Sequence, residues 1–422
     1  MAAAGGVLVA LIGFVLVLRF KANAEPSGVA PLAAAEEIAS PAGPGSGEPN
    51  LFAAPDGRVY LSWLEPEEGS KVYGLRFSVL EPARSAASPA PARRWSETRT
   101  IVRRDDFFVN WADFPSLVRL PDGTLAAHWL QRSGPGTYHY DVKIALSSDG
   151  GGTWSEPIMP HRDGTSSEHG FVTLFPWQGG LGAVWLDGRR FVAGEHGAAT
   201  EEMTLRHTTL GRDGRLGPEL LLDERTCDCC QTAVARTSDG PVVVYRDRSH
   251  DEIRDIWITR WAGGRWTRPR PVHDDGWKIP ACPVNGPAID AAARRVALAW
   301  FTAPDGKAQV RVAFSRDGGA RFAAPIRVDD GDPAGRVAAL LLEDGSALVS
   351  WLERVENGAE VRVRRVTAKG ERTPARTVAR SSAERASGFP RMVRSGDDVV
   401  LAWTQPGQPT RVRVALLPVR SI

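Results

Sequence analysis

Seven times along this chain a short turn leads into an apolar strand that ends in Trp or Tyr. The pairs are Pro55-Asp56-Gly57 to Trp63, Pro121-Asp122-Gly123 to Trp129, Gln178-Gly179-Gly180 to Trp185, and Ser238-Asp239-Gly240 to Tyr245. They continue with Ala291-Ala292-Ala293 to Trp300, Glu343-Asp344-Gly345 to Trp351, and Ser395-Gly396-Asp397 to Trp403. The aromatic residues are spaced 66, 56, 60, 55, 51 and 52 positions apart. A period of that size, built from turns and strands alone, marks radial repetition. The expected fold is all-β, a β-propeller with one four-stranded blade per repeat. Seven blades are expected, with a six-bladed ring as the alternative.

The array takes up residues 47–422 as one body, since each repeat buries its apolar face only against its neighbours. Residues 1–24 read differently. Positions 2–18 are uncharged and apolar, and Arg19-Phe20-Lys21 and then Ala22-Asn23-Ala24 follow. Such a run is at the lower edge of a membrane span and the upper edge of a signal peptide. Export is expected, with the segment cleaved after Ala24 or kept as a membrane tether, which gives a periplasmic, membrane-anchored or secreted protein. The charges that follow the apolar run also fit an uncleaved helix with the propeller in the cytoplasm. Residues 25–46 are rich in Ala, Pro, Gly and Ser and read as a linker. The last repeat supplies three strands, so a strand near Leu32–Ser40 is expected to complete its outer edge.

With 52 basic and 50 acidic residues spread evenly, net charge is +2, and there is no basic stripe of the kind that binds nucleic acid. The Arg-rich, Ala-, Gly- and Pro-rich composition reads as the bias of a GC-rich bacterial genome. A monomer is expected.

Antiparallel alternation puts the turns joining first to second and third to fourth strands on one face. The remaining loops lie on the other, and those leading into each innermost strand converge over the axis. That face carries the unusual chemistry. Its candidate acid/base carboxyls are Asp113, Glu168, Asp187 and Asp247, each also able to cap its own turn. Arg189, Arg248, Arg254, Arg336 and Arg391, with Asn285, are candidates to hold an acidic ligand, because a guanidinium grips a carboxylate or sulfate bidentately. Their alternative is ordinary ion pairing with Asp187, Asp247 and Asp251. Tyr138 and Tyr140 are candidate nucleophiles or packing residues. His161, Asp163, Glu168 and His169 crowd one loop, read as hydrogen-bonded.

Cys227, Cys229 and Cys230 open the innermost strand of the fourth repeat, and Cys282 takes the equivalent place in the fifth. Neighbouring blades bring such positions close together. Two readings follow: a thiolate site for copper or zinc with His169 as a further ligand, or a disulfide from Cys282 to one of the trio.

Ser147-Ser148-Asp149-Gly150-Gly151-Gly152-Thr153-Trp154 resembles the Asp-box of the sialidase superfamily at every defined position, through Ser147, Asp149, Gly151, Thr153 and Trp154. A second copy, Ser315 to Phe322, keeps Ser315, Asp317 and Gly319, with Arg321 and Phe322 in place of Thr and Trp. The box is a folding motif, so the resemblance implies the propeller over residues 47–422. It further implies an acidic-glycan ligand, taken either by glycoside hydrolase chemistry of the sialidase kind, with an arginine trio, an Asp acid/base and a Tyr–Glu nucleophile pair, or by a non-catalytic, lectin-like binding propeller. The Arg-Ile-Pro motif near the start of sialidase propellers is absent, and the cysteine cluster has no counterpart there.

Overall fold

The computed structural model describes residues 1–2, 35–82, 93–191 and 202–422. The apolar run at 2–18, the cleavage site at 22–24 and the segment 25–34 of the linker fall almost wholly outside them. Among the described residues no helix is long and apolar enough to cross a membrane.

Seven antiparallel sheets follow one another along the chain. Their second strands are the seven aromatic strands: Val59–Pro66, Leu125–Arg132, Gly180–Asp187, Gly240–Arg246, Arg295–Thr302, Ala347–Val355 and Asp398–Gln405. Each turn before them needs backbone with positive φ, which glycine adopts at no steric cost. Gly57 at +83° and Gly345 at +85° supply it in the Asp-Gly turns. In the fifth blade, which lacks that glycine, Ala293 adopts +53° instead.

Neighbouring blades share apolar cores, and these close a ring. Leu61 and Trp63 of the first blade pack with Val400 and Val412 of the last. Ala299 and Val312 of the fifth pack with Val349 and Trp351 of the sixth. The seventh blade takes its fourth strand from Glu36–Ile38, which pairs antiparallel with Arg411–Pro418. The array is thus tied shut by residues from its two ends. The second blade departs from the four-stranded expectation: it has three strands, and only the bridge between Ile144 and Ile158 marks the fourth.

Trp63, Trp129, Trp185, Trp300 and Trp351 are fully buried. A residue two places on shares the strand face, and in four blades it accepts the indole N–H. The acceptors are Glu65 at 2.9 Å, Asp187 at 2.8 Å, Glu353 at 2.6 Å and Gln405 at 3.1 Å, the last for Trp403. An aromatic residue with an acidic or amide residue two places later is therefore a structural signature of the blade.

Both Asp-box turns are closed. Asp149 accepts from Ser147 Oγ at 2.8 Å, from the backbone N–H of Gly152 and Thr153 at 2.9 Å, and from Thr153 Oγ1 at 2.8 Å. Gly151 is required: its φ is +89°, and a Cβ there would lie 2.4 Å from the Phe77 ring. In the second box Arg321 Nε replaces the Thr hydroxyl as donor to Asp317, at 3.1 Å. Led by the Thr153 N–H, these bonds hold the Asp149 carboxyl well below its ordinary range. Asp149→Ala is expected to loosen this turn locally, with faster amide hydrogen exchange at residues 151–153 and unchanged exchange in the fifth blade.

Candidate functional site

The axial channel holds a cavity of about 630 Å³, lined on the loop-rich side by Asp113, Phe171, Gln231 and Arg391. A second channel cavity of about 460 Å³ shares Gln231 and Arg391 and adds Gly286 and Phe389. The loops entering the innermost strands therefore converge on the axis. Glu168, Asp187, Asp247 and the cysteines do not line these cavities.

Tyr140 begins a strand, Tyr140–Ser147, and is fully buried with its ring stacked 3.9 Å from Phe108. Its hydroxyl lies 2.9 Å from Asp113 Oδ2 and 2.8 Å from Glu168 Oε1. Asp113 Oδ1 also accepts the backbone N–H of Phe171 at 2.8 Å. A phenol has one hydrogen to donate. Two carboxyls at hydrogen-bond distance therefore require that one of them carries a proton. Burial pushes the Asp113 carboxyl up to about 8, which favours its neutral form near neutral pH. The tight fit leaves no room beside Gly170, where a Cβ would meet Asp113 Oδ2 at 1.9 Å and the Tyr140 hydroxyl at 2.8 Å. Three of the sequence candidates are thus brought together, with Asp113 facing the channel and Tyr140 sealed behind it. Tyr138, by contrast, is exposed.

Of the five candidate arginines, four are committed elsewhere. Arg189 grips Asp187 at 2.6 and 2.7 Å and reaches Glu219 at 2.8 Å. Arg248 bonds Glu252 at 2.8 Å. Arg254 bonds Asp228 at 3.0 Å and Glu252 at 2.9 Å. Arg336 is capped by Ser387 Oγ and by the carbonyls of Gly388, Ala383 and Glu384 at 2.9 to 3.0 Å, and it lies 4.8 Å over the Trp111 ring. Arg391 differs. Its guanidinium sits 5.0 Å over the Phe114 ring, and among the described residues no carboxylate or carbonyl bonds it. Burial lowers it to about 10, still charged at neutral pH.

Asn285 holds loops rather than facing the channel. Its Oδ1 accepts Arg336 N–H at 2.7 Å, and its Nδ2 donates to Pro283 O at 3.1 Å and Ala334 O at 3.3 Å. Asp187 is the Trp185 acceptor of its blade and the partner of Arg189, which rules out a free acid/base role. Asp247, two residues after Tyr245, occupies the same blade position. Burial and the nearby Asp223 push its carboxyl up to about 8.

His169 does not join the cysteines. It stacks on His161 at 3.7 Å, nearly parallel. Asp163 spans the two rings, 3.2 Å from His161 Nδ1 and 3.2 Å from His169 Nε2. Burial lowers His161, whereas Asp163, Asp187 and Asp141 outweigh burial at His169 and raise it. The two stacked rings are thus shifted in opposite directions within one hydrogen-bonded loop.

The cysteines converge across two blades. Cys227 Sγ lies 3.7 Å from Cys229 Sγ and 3.2 Å from Cys230 Sγ, and the three sulfurs lie within 4.8 Å of one another. Cys282 Sγ, from the loop before the fifth blade, falls within the same distance of Cys229 and of Asp228. All four thiols are free. Burial alone would raise Cys227, but hydrogen bonds from Cys229 and Cys230, with Arg254 alongside, hold it well below the usual thiol range. Two functional features escaped sequence reasoning: Tyr140 as the hub of two carboxyls, and Arg246 as the buried support of the cysteine loop. The only signal for Arg246 is a charge directly after the blade aromatic.

No family model matches the chain, and no curated protein matches it. Solved structures do. The NanB sialidase of Streptococcus pneumoniae aligns at 12% identity and TM-score 0.43, over 89% of this chain and 68% of that one. The Trypanosoma rangeli sialidase in complex with the inhibitor DANA aligns at 12% and 0.45, over 76% and 56%. The polysaccharide lyase Uly1 aligns at 9% and 0.49, over 88% and 90%. The chain is a seven-bladed β-propeller carrying two closed Asp-box turns.

Proposed function

We propose that this propeller binds an acidic glycan, with Arg391 holding the sugar carboxylate at the loop-rich mouth of the channel. The observation that carries the proposal is a charged, partner-free guanidinium lining a 630 Å³ cavity, a volume in the usual range for small-ligand pockets. Arg119, in the same cavity, is neutralised by Asp56 at 3.1 Å. A protonated Asp113 adds no negative charge to the cavity wall, and Asp290, the other carboxyl that lines the cavity, is bonded by the backbone N–H groups of Ala291 and Leu341 at 2.8 Å.

The same wall suits glycosidic cleavage. A carboxyl that keeps its proton near neutral pH is the general acid that such chemistry needs. Tyr140 then serves by orienting Asp113 and Glu168, because its own oxygen is sealed from the channel. We also place the protein outside the cytoplasm, on the strength of the apolar segment at 2–18.

Titration calorimetry with glucuronides and sialosides tests the binding step. Arg391→Ala is expected to weaken the best ligand at least about tenfold, equivalent to about 1.4 kcal/mol. Affinity should also fall as pH rises past about 8 and Asp113 ionises. Release of free acidic sugar, lost in Asp113→Asn while binding persists, would identify a hydrolase. A wild-type chain that ignores every acidic glycan, or an Arg391→Ala variant that binds like wild type, refutes the proposal.

A further inference from the structure

We infer that Cys227, Cys229 and Cys230 form a thiolate site for one soft or borderline metal ion, Cu(I) or Zn(II), with Cys282 as an exposed ligand at its entrance. Bonds of about 2.3 Å to a tetrahedral zinc separate its sulfurs by about 3.8 Å. Cys227 and Cys229, 3.7 Å apart, match that spacing, while Cys227 and Cys230, 3.2 Å apart, would separate by about 0.6 Å to seat an ion.

The surroundings are those of a built site. Arg254 Nη1 lies 3.2 Å from Cys227 Sγ and 3.0 Å from Asp228, while its second nitrogen is anchored to Glu252 at 2.9 Å. The backbone N–H of Asn285 points at Cys230 Sγ from 3.4 Å. Hydrogen bonds of this kind orient ligands and tune the bound metal. Cys227 and Cys230 are buried, Cys229 is half-buried and Cys282 is exposed, so accessibility rises in steps from the centre outward. Cys282 reaches the group from the next blade, next to Asp228 at 3.8 Å. An incoming ion would meet Cys282 first, then the half-buried Cys229, and pass to the buried Cys227 and Cys230, a sulfur set that selects soft cations over Mg²⁺ or Ca²⁺. Neither the channel nor Arg391 takes part, so the site stands whether or not the glycan proposal does.

The test uses the full chain, purified without oxygen and titrated separately with Zn(II), Cu(I) and Co(II). About one equivalent of metal should bind and protect three thiols from alkylation. The Co(II) form should show sulfur-to-cobalt charge-transfer absorption. Cys230→Ser should lower affinity at least about tenfold and change that absorption. His161→Gln should leave it intact, which separates the cysteines from the histidine–aspartate network. Cys282→Ser should slow metal uptake more than it weakens binding. Should Cys230→Ser fail to fold by circular dichroism, Cys229→Ser at the less buried position replaces it. The inference is overturned by freely reactive thiols with no bound metal, or by a Cys227–Cys230 disulfide that persists after metal challenge.

Discussion

Arg246→Met is expected to destabilise the propeller by about 3–5 kcal/mol, the cost typical of stripping one partner from a buried charged network. Arg246 is only 1% exposed. Its guanidinium donates to three carbonyls: Asn285 O at 2.9 Å, Arg254 O at 2.5 Å and Phe301 O at 2.6 Å. It also lies 4.9 Å over the Trp277 ring. The three carbonyls belong to a loop of the fourth blade, the entry loop of the fifth and the end of the fifth blade's aromatic strand. Met would fill the volume, but it would leave all three acceptors buried without a donor, and hydrogen bonds to a charged donor are each worth about 1.5–3 kcal/mol. Arg246→Lys should recover only part of the loss, because an ammonium cannot present the same planar fork. Denaturant unfolding measures the effect, and a cost under about 1 kcal/mol would show that the loops hold without it. Because Asn285 also faces Cys230, hydrogen exchange should rise first around residues 227–230 and 282–286.

The second large effect is on the pH dependence of stability. The unfolded chain ionises Asp113 near 3.8, whereas burial holds the folded carboxyl to about 8. Between those values the folded state binds one more proton than the unfolded state, so stability falls as pH rises, by about 1.4 kcal/mol per pH unit for each such group. Asp247 adds a like share over the same window. His128 and His207, lowered by burial to about 3 and about 4, act in the opposite direction. They do so only below the 6.5 at which the unfolded histidines titrate. Above pH 6.5 the histidines drop out, and Cys227, held below its ordinary range, offsets part of the carboxyls' effect, so stability is expected to fall less steeply than the two carboxyls alone would give, up to about pH 8. Asp113→Asn should remove one group's share of that slope. Parallel pH profiles for variant and wild type would show instead that Asp113 is already ionised in the fold.

The two effects meet at the candidate site. The proton that keeps Asp113 neutral toward an acidic ligand also stabilises the fold below about pH 8, so stability should decline up to about pH 8 and ligand affinity past it. Arg246 plays the corresponding part for the cysteine loop, which it holds through the Asn285 carbonyl.

What the sequence determined by itself is local and repetitive. Turn glycines, alternating apolar strands and the Asp-box all act within about eight residues, so their outcome does not depend on where the rest of the chain goes. The spacing of seven aromatic residues then left a ring as the way to bury every blade's face. The position of the cysteines at equivalent places in adjacent repeats also carried over directly into space. Only the tertiary structure decided which polar groups are spent and which are free. Five arginines on one face look alike as letters, yet Arg336 is capped by the loop preceding the seventh blade while Arg391 is not. Asp187 and Asp113 are both loop-face carboxyls, but one is tied to Trp185 and Arg189 and the other shares a proton with Tyr140. His169 lay in the right repeat to join the cysteines, and its ring turned toward Asp163 instead. The Asp113 outcome rests on partners far apart in the chain, Tyr140 at 27 residues and Phe171 at 58, with Glu168 reaching the same hydroxyl. Such pairs form only when the ring closes and strips water from both groups, and it is that desolvation which sets their charge.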